Sequence, residues 1–320
     1  MLSKTVKSFM VISRSEFLLP NLGAFVMGLA WAASPSLNLV ESIVPLVLTF
    51  VVVNLSSAIG AQVNTLYDYA MDTQDSRKKS LVAALNSFGQ TRLKYILAAE
   101  FLVAAILSIL LTVIVGKPAL FLMWLAGISL GCSYSAPPLK LKSRSWLAFV
   151  SLLLVLSILP TFFIFYTFAS ELNPLFLLSL AGLTLTVYAV IVPTETRDYF
   201  GDKAMGIKTM TVHIGLTKAS LVSIILLITG GAMNGTALFL GLLYGSYPIV
   251  SIFIVAVIVA ILIVLKQLAK LYSLCKEYDK KNDETTAQAI VDLSANNPKW
   301  IMLVTQTYSI LSLVLLVSRL

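Results

Sequence analysis

Two short stretches carry residue types able to hold a metal ion and a polyanion: NTLYDYAMD at 64–72 and TETRDYFGD at 194–202. The first presents Asn64, Asp68 and Asp72, the second Asp198 and Asp202, and in both the acids are spaced i, i+4. On a helix that spacing leaves the groups on one face, a turn apart. Both stretches follow long apolar runs, so the carboxylates fall where membrane helices meet water. Carboxylates at that depth are costly unless cations neutralise them. Mg²⁺ is the simplest neutraliser, a hard ion that takes a few carboxylates, keeps several waters and fills its remaining positions with phosphate oxygens.

The elements that must position these acids are legible from composition. Of 320 residues, 58% are hydrophobic and only 12% charged, against about 25% charged in a soluble domain. With repeated apolar stretches near 20 residues, this predicts an all-α, polytopic membrane protein. Candidate spans lie near 17–33, 43–66, 95–115, 119–135, 146–169, 174–193, 217–242, 248–271 and 299–318, about nine transmembrane helices. The boundary between the seventh and eighth is the least defined. GGAMNG at 230–235 predicts a kink in the seventh, because glycines weaken a helix interior. The amino end, MLSKTVKSFMVISRSEF, reads as an interfacial amphipathic segment, with no cleavable signal evident. Residues 282–297 read as a short cytoplasmic helix capped by Asn282 or Asp283. Cys132 and Cys275 show neither disulfide nor metal spacing and read as packing thiols.

Orientation follows from the cations. The amino tail and the loops between spans 2–3, 4–5, 6–7 and 8–9 hold 21 of the 23 Lys and Arg, leaving Lys117 and Arg319 opposite. By the positive-inside rule that side is cytoplasmic. An integral membrane protein with its amino terminus and acidic stretches inside, and its carboxyl terminus outside, is expected. The net charge of +8 is therefore mostly topology and does not point to nucleic acid. Most loop cations only set orientation, but Lys203 and Lys208, beside the second acid pair, are placed to hold a polyanion.

A weak internal repeat relates Asn64, Asp68 and Asp72 to Thr194, Asp198 and Asp202, each shifted by 130 residues. It suggests two pseudo-repeated halves around a central cavity, within a single transmembrane domain over 1–320. Either stretch alone reads equally well as a helix end with acids matched to nearby bases. Two with the same spacing on the same side, each followed by lysines, favour a shared ligand. Carboxylates, basic groups and an apolar body suit a substrate with a diphosphate head and a hydrocarbon tail. Metal ions and lysines would take up charge developing on a departing diphosphate.

Other residues carry less. His213, the only histidine, reads as the start of a helix rather than a base. Tyr67, Tyr69 and Tyr199 point away from the acids if the stretches are helical, and Asn21 reads as a contact between helices. A cation-coupled transporter with an acidic cytoplasmic-side site is the competing class. The acids, however, cluster at one face, with only Glu100 near mid-span and close to a helix end, whereas a transport path needs polar groups throughout. The D-x-x-D-G-x-x-A-R signature of the CDP-alcohol phosphotransferases is absent.

The first stretch fits the N-x-x-x-D-x-x-x-D signature of the UbiA superfamily of intramembrane prenyltransferases, and the second resembles its D-x-x-x-D partner. DYFGDKAMGIKTM at 198–210 is similar to the trailing part of the second motif, with Gly206, Lys208 and Thr209, and SYSAPPLKLK at 133–142 resembles the family's Tyr-Ser-x-Pro-Pro segment. With the nine-helix layout, the resemblance covers nearly the whole chain. Thr65 departs from it, standing where many members have Asp, as does the loop Arg77-Lys78-Lys79-Ser80, which lacks the usual Arg-Pro pair. The resemblance implies a Mg²⁺-dependent prenyltransferase, with two or more ions and Mn²⁺ as a substitute. It moves a prenyl group from an allylic polyprenyl diphosphate donor to a lipophilic or aromatic acceptor, such as a quinone precursor or a glycerophosphate ether, within the lipid bilayer. It further implies that Asp68 and Asp72 hold one ion and Asp198 and Asp202 another, and that Asn64, Lys140, Lys203 and Lys208 bind diphosphate. Tyr134 would then face the allylic cation through its ring, or else serve as an interfacial belt tyrosine.

Overall fold

Apolar segments in lipid must satisfy every backbone N–H and C=O internally, which leaves helices as the economical solution for this composition. The computed structural model describes residues 3–33, 39–75, 78–169, 171–243 and 250–319, and every regular element among them is helical. In chain order these are α1 (Lys4–Ile12), α2 (Leu18–Ala32), α3 (Leu39–Tyr67), α4 (Tyr69–Asp72), α5 (Lys79–Phe88), α6 (Gln90–Val115) and α7 (Ala119–Ser135). Then come α8 (Trp146–Leu153) and α9 (Leu159–Phe168), joined by a π-helical turn, α10 (Pro174–Ala204), α11 (Met210–Ile214), α12 (Leu216–Leu243), α13 (Val250–Lys281), α14 (Glu284–Ala295) and α15 (Asn297–Arg319). A helix stands at each of the nine predicted spans. Among the described residues, six stretches are long and apolar enough to cross a membrane: 40–67, 90–115, 146–168, 174–204, 216–243 and 255–281. The apolar helices at 21–32 and 119–135 are shorter. The seventh-to-eighth boundary at 244–249 and Arg77 lie outside the described residues.

The chain packs as two compact units, one of residues 1–21 and 38–141, the other of 22–37 and 142–320. In the first, α3 lies along α6 and α7, and α1 packs on α5. The amino-terminal helix is amphipathic as expected: Phe9 stacks on Phe88 at 5.5 Å and Ile12 joins Leu85, Phe88 and Leu93 in a buried cluster, while Val6, Met10 and Val11 stay exposed. Outward apolar side chains on α6, such as Leu102 and Val113, are left for lipid. Glu100 lies well inside α6, not near its end.

The second unit is built on α10 and α12, which run against each other. Gly182 and Gly230 let the two backbones meet: a Cβ on Gly230 would lie 2.6 Å from the Gly182 carbonyl, and one on Gly182 would strike the Asn234 amide nitrogen. Gly230 and Gly231 thus serve close approach, and α12 continues unbroken through residues 230–235. Small residues at a helix crossing do this generally in membranes. Pro193 supplies no N–H to the Ala189 carbonyl four residues back, and Ser223 of α12 donates its hydroxyl there instead. At the far end, Arg319 donates to the Ala30 and Trp31 carbonyls, closing the end of α2. Asp283 is the observed cap of α14. Its carboxylate accepts from the Thr286 N–H and hydroxyl, which hold the acid below the usual carboxylate range.

Gly230→Ala should lower the thermal unfolding midpoint in detergent, by about 1–3 kcal/mol of overpacking. Gly235→Ala, where a Cβ meets nothing within 4 Å, should be neutral or slightly stabilising. Equal effects of the two would mean that the α10–α12 contact does not require glycine.

Candidate active site

In the first unit, α3 ends at Tyr67 and Asp68 takes φ −92° and ψ −1° before α4 begins. The expected single helix face is therefore interrupted at Asp68, in the bridge region between helical and extended backbone. The one-turn spacing nevertheless survives. The Asp68 N–H donates to the Asn64 carbonyl at 2.9 Å, and the Asp72 N–H to the Asp68 carbonyl at 2.8 Å.

Asn64 is the hub of this motif. Its Nδ2 donates to Asp68 Oδ2 at 2.9 Å and to Ser135 Oγ at 2.7 Å, and its Oδ1 accepts from Arg14 at 3.4 Å. Asp68 and Asp72 are 6% and 2% exposed. Lys78 forms an ion pair with Asp72 at 2.7 Å, the arrangement that a nearly buried carboxylate demands. Asp75 lies beyond the helix, and its N–H reaches the Asp72 carbonyl at 3.2 Å. Tyr69 turns away to Asn86, and Tyr67 is exposed. Thr65, where the resemblance expects an acid, is buried and donates to the Ala61 carbonyl. Tyr134 is half-buried in the last turn of α7, next to Ser135. Lys140 is exposed, with a left-handed φ of 41°.

In the second unit, α10 runs without interruption through Asp198 and Asp202, so here the predicted one-face spacing holds. Arg197 clamps its neighbour Asp198 through Nε at 2.9 Å and Nη2 at 3.1 Å, a bidentate fork. Asp202 is half-buried, and its carbonyl accepts the Ile207 N–H. Lys203 lies over the Tyr199 ring at 5.5 Å, and Lys208 is exposed. His213 is exposed near the end of the short α11.

Sequence reasoning gave no role to Ser135 and Glu195, and counted Arg14, Lys78 and Arg197 among the orienting charges. Adjacency to Asp198 could have flagged Arg197. Arg14 and Ser135 stand 50 and 71 residues from Asn64, and no local spacing rule reaches so far.

Within each unit the donors fit a hard divalent ion: two carboxylates a turn apart, joined in the first by an amide, with oxygen donors throughout. Among the described residues of either unit no three His, Cys, Asp or Glu side chains form a closed cage. Two carboxylates leave coordination positions for water and phosphate, the usual pattern for Mg²⁺ with phosphorylated substrates.

The fold is shared with solved structures. A UbiA homologue from Archaeoglobus fulgidus bound to GPP and Mg²⁺ matches at TM-score 0.60 and 16% identity, over 93% of this chain and 99% of that chain. A structure of digeranylgeranylglyceryl phosphate synthase matches at 0.59 and 14%, over 98% and 100%. An apo UbiA homologue from Aeropyrum pernix K1 matches at 0.63 and 15%, over 89% and 97%. At such identities the likeness establishes the fold. No curated protein sequence matches. The sequence model of the UbiA prenyltransferase family matches residues 21–279. With most of its length inside that match, and with the helices and acid pairs described above, this chain is a multi-pass membrane protein belonging to the UbiA prenyltransferase family.

Proposed function

We propose that this protein transfers a prenyl group from an allylic prenyl diphosphate to a lipophilic acceptor within the membrane, with Mg²⁺ bound at each acid pair. The observation that carries the reading is the pairing of i, i+4 carboxylates with exposed lysines at the ends of long apolar helices. A diphosphate head needs the first and a hydrocarbon tail the second. In support, the A. fulgidus homologues of this fold were solved with GPP or DMAPP together with Mg²⁺.

Asp68 and Asp72 would hold one ion and Asp198 and Asp202 another, with Asn64 placed to bind diphosphate. Bound Mg²⁺ supplies positive charge against the diphosphate leaving group. Lys140, Lys203 and Lys208 contact its free oxygens. The C1–O bond breaks with its electron pair leaving on diphosphate, the acceptor nucleophile attacks C1 and then gives up a proton. Arg14 and Ser135 fix which way the Asn64 amide faces, so that its NH₂ meets Asp68. Tyr134 presents its ring to the developing allylic cation. The acceptor is lipophilic or aromatic, such as a quinone precursor or a glycerophosphate ether. The amino terminus and acid motifs face the cytoplasm and the carboxyl terminus lies outside.

Competition against a labelled donor tests the reaction. Each buried CH₂ contributes about 0.8 kcal/mol, so one isoprene unit adds up to ~4 kcal/mol before ordering costs. With Mg²⁺ present, geranyl diphosphate should therefore compete better than dimethylallyl diphosphate, and both better than pyrophosphate. Asp68→Ala and Asp198→Ala should each abolish turnover, as should excess EDTA. Equal competition by pyrophosphate and geranyl diphosphate would remove the tail site and the proposal with it.

Topology is checked with Ser3→Cys and Ser318→Cys, each in a background lacking Cys132 and Cys275, using an impermeant thiol reagent on sealed vesicles. Labelling of both from the same side would overturn the orientation.

The metal reading has a test without turnover. Lys78→Met removes the cation from Asp72 and should destabilise the protein by about 1–3 kcal/mol, since Lys78 is itself partly solvated. Mg²⁺ should then raise the unfolding midpoint more in Lys78→Met than in the unaltered protein, because the ion restores what the lysine supplied. No added response to Mg²⁺ in the variant would argue against a metal at Asp72.

A further inference from the structure

Glu195 lies on α10 one turn before Asp198 and is 9% exposed. Its Oε2 accepts two hydrogen bonds from one residue, the Thr211 N–H at 3.1 Å and the Thr211 hydroxyl at 2.8 Å. Its other oxygen, Oε1, is buried and has no hydrogen-bond partner among the described residues. Burying an acid so incompletely satisfied is costly, and what the acid holds is the start of α11.

Between Asp202 and Thr211 the chain reverses and carries Lys208 on the way. Gly206 permits the reversal with a left-handed φ of 69°. The Ser145 hydroxyl donates to Met210 Sδ at 3.8 Å, and three further contacts hold the segment. The Ile207 N–H donates to the Asp202 carbonyl at 2.9 Å, the Ser145 N–H donates to the Lys208 carbonyl at 2.8 Å, and Thr211 is held by Glu195. The first two are main-chain bonds. Of the three, only the Glu195 anchor depends on a side-chain acceptor.

We propose that Glu195 is a positioning residue: it pins the 205–211 segment to α10 and so fixes where the Lys208 ammonium meets the diphosphate head of the donor. What Lys208 binds rests on the prenyl-transfer reading, whereas the anchor does not. Lys208 is exposed on a long flexible stem. If its backbone also loosens, more conformational freedom must be lost when the head group binds. The cost falls on donor binding, and the chemical step is left largely intact.

The test compares Glu195→Gln with Glu195→Ala. Glutamine keeps a carbonyl oxygen for Thr211 and puts its NH₂ where Oε1 has no partner, while alanine removes the anchor. In metal-free, donor-free protein, amide exchange at Thr211 should be fast in Glu195→Ala and unchanged in Glu195→Gln. Donor KM should rise about tenfold in Glu195→Ala (~1.4 kcal/mol) with kcat within about threefold, and stay near its original value in Glu195→Gln. In a Lys208→Ala background, Glu195→Ala should raise KM no further, because the residue it positions is gone. Additive effects of the two substitutions, or a glutamine variant as impaired as the alanine one, would overturn the proposal. Should Glu195→Ala fail to fold, Thr211→Val removes one of the two bonds and should give a smaller rise in KM, and an unchanged KM there also counts against it. Thr211 exchange and the binding of inorganic pyrophosphate are both read without turnover, so failure of the anchor and failure of prenyl transfer are separately visible.

Discussion

A carboxylate at the end of a membrane helix has little water around it, and the rest of this structure answers to that constraint. Coulomb attraction at short range strengthens as the surroundings lose water, and the penalty for an unpaired charge rises with it. The two acid motifs meet the penalty differently. Asp72 draws Lys78 from beyond the helix end, and Asp198 takes the guanidinium of the residue beside it. Asp68 is met by an amide, Asn64, whose orientation is set by Arg14 and Ser135. The cations around the acids therefore divide into two groups. Lys78 and Arg197 are committed to carboxylates, while Lys140 and Lys208 extend into solvent, where a polyanion can reach them.

The same i, i+4 spacing is realised by two backbones. In α10 the helix continues through both acids, although Pro193 removes a backbone donor five residues earlier, because Ser223 of the neighbouring helix replaces it. In the first motif the helix stops at Tyr67 and resumes after Asp68. The two motifs, 130 residues apart, thus share their paired acids and spacing without sharing local conformation. Thr194, which stands in the place of Asn64, has neither the length nor the NH₂ group through which Asn64 joins Asp68 to Ser135.

What was legible in the sequence was what a single strong force decides locally. Lipid forces apolar runs into helices, and the helical period puts acids four apart on neighbouring turns, so the helices and the acid motifs could both be read. Features decided by a partner far away in sequence could not. Glycines at 230 and 231 are as compatible with a kink as with close approach, and only distant neighbours decide between them: Gly182, nearly fifty residues upstream, for Gly230, and Ile261 for Gly231. Thr211 reaches Glu195 across the whole second motif, and nothing in the local pattern marks the acid as an anchor. Glu100 looked like a helix-end residue because the apolar run begins late, whereas α6 starts at Gln90.

The amino-terminal helix does more than its amphipathic pattern shows. Val6, Met10 and Val11 stay exposed, while α1 packs on α5 through Phe9 and Ile12 and its carboxyl end is tied to α3. Gln62 donates to Ser13 at 2.9 Å, Thr65 reaches the Ile12 carbonyl at 3.5 Å, and Arg14, in a left-handed turn with φ 47°, extends to Asn64. Three consecutive residues of the turn thus meet three residues spaced along one side of the first motif's helix. A positive φ at a non-glycine residue costs of order 1 kcal/mol and persists only where neighbours over-determine it, and here those neighbours are the contacts at Ile12 and Ser13. The departure at Thr65 then has a physical use. A hydroxyl there bridges Ala61 and Ile12 within a buried contact, where a carboxylate would bring a further charge needing its own cation. The chain gives up a third acid at the head of the motif and gains a brace that fixes Arg14 against Asn64.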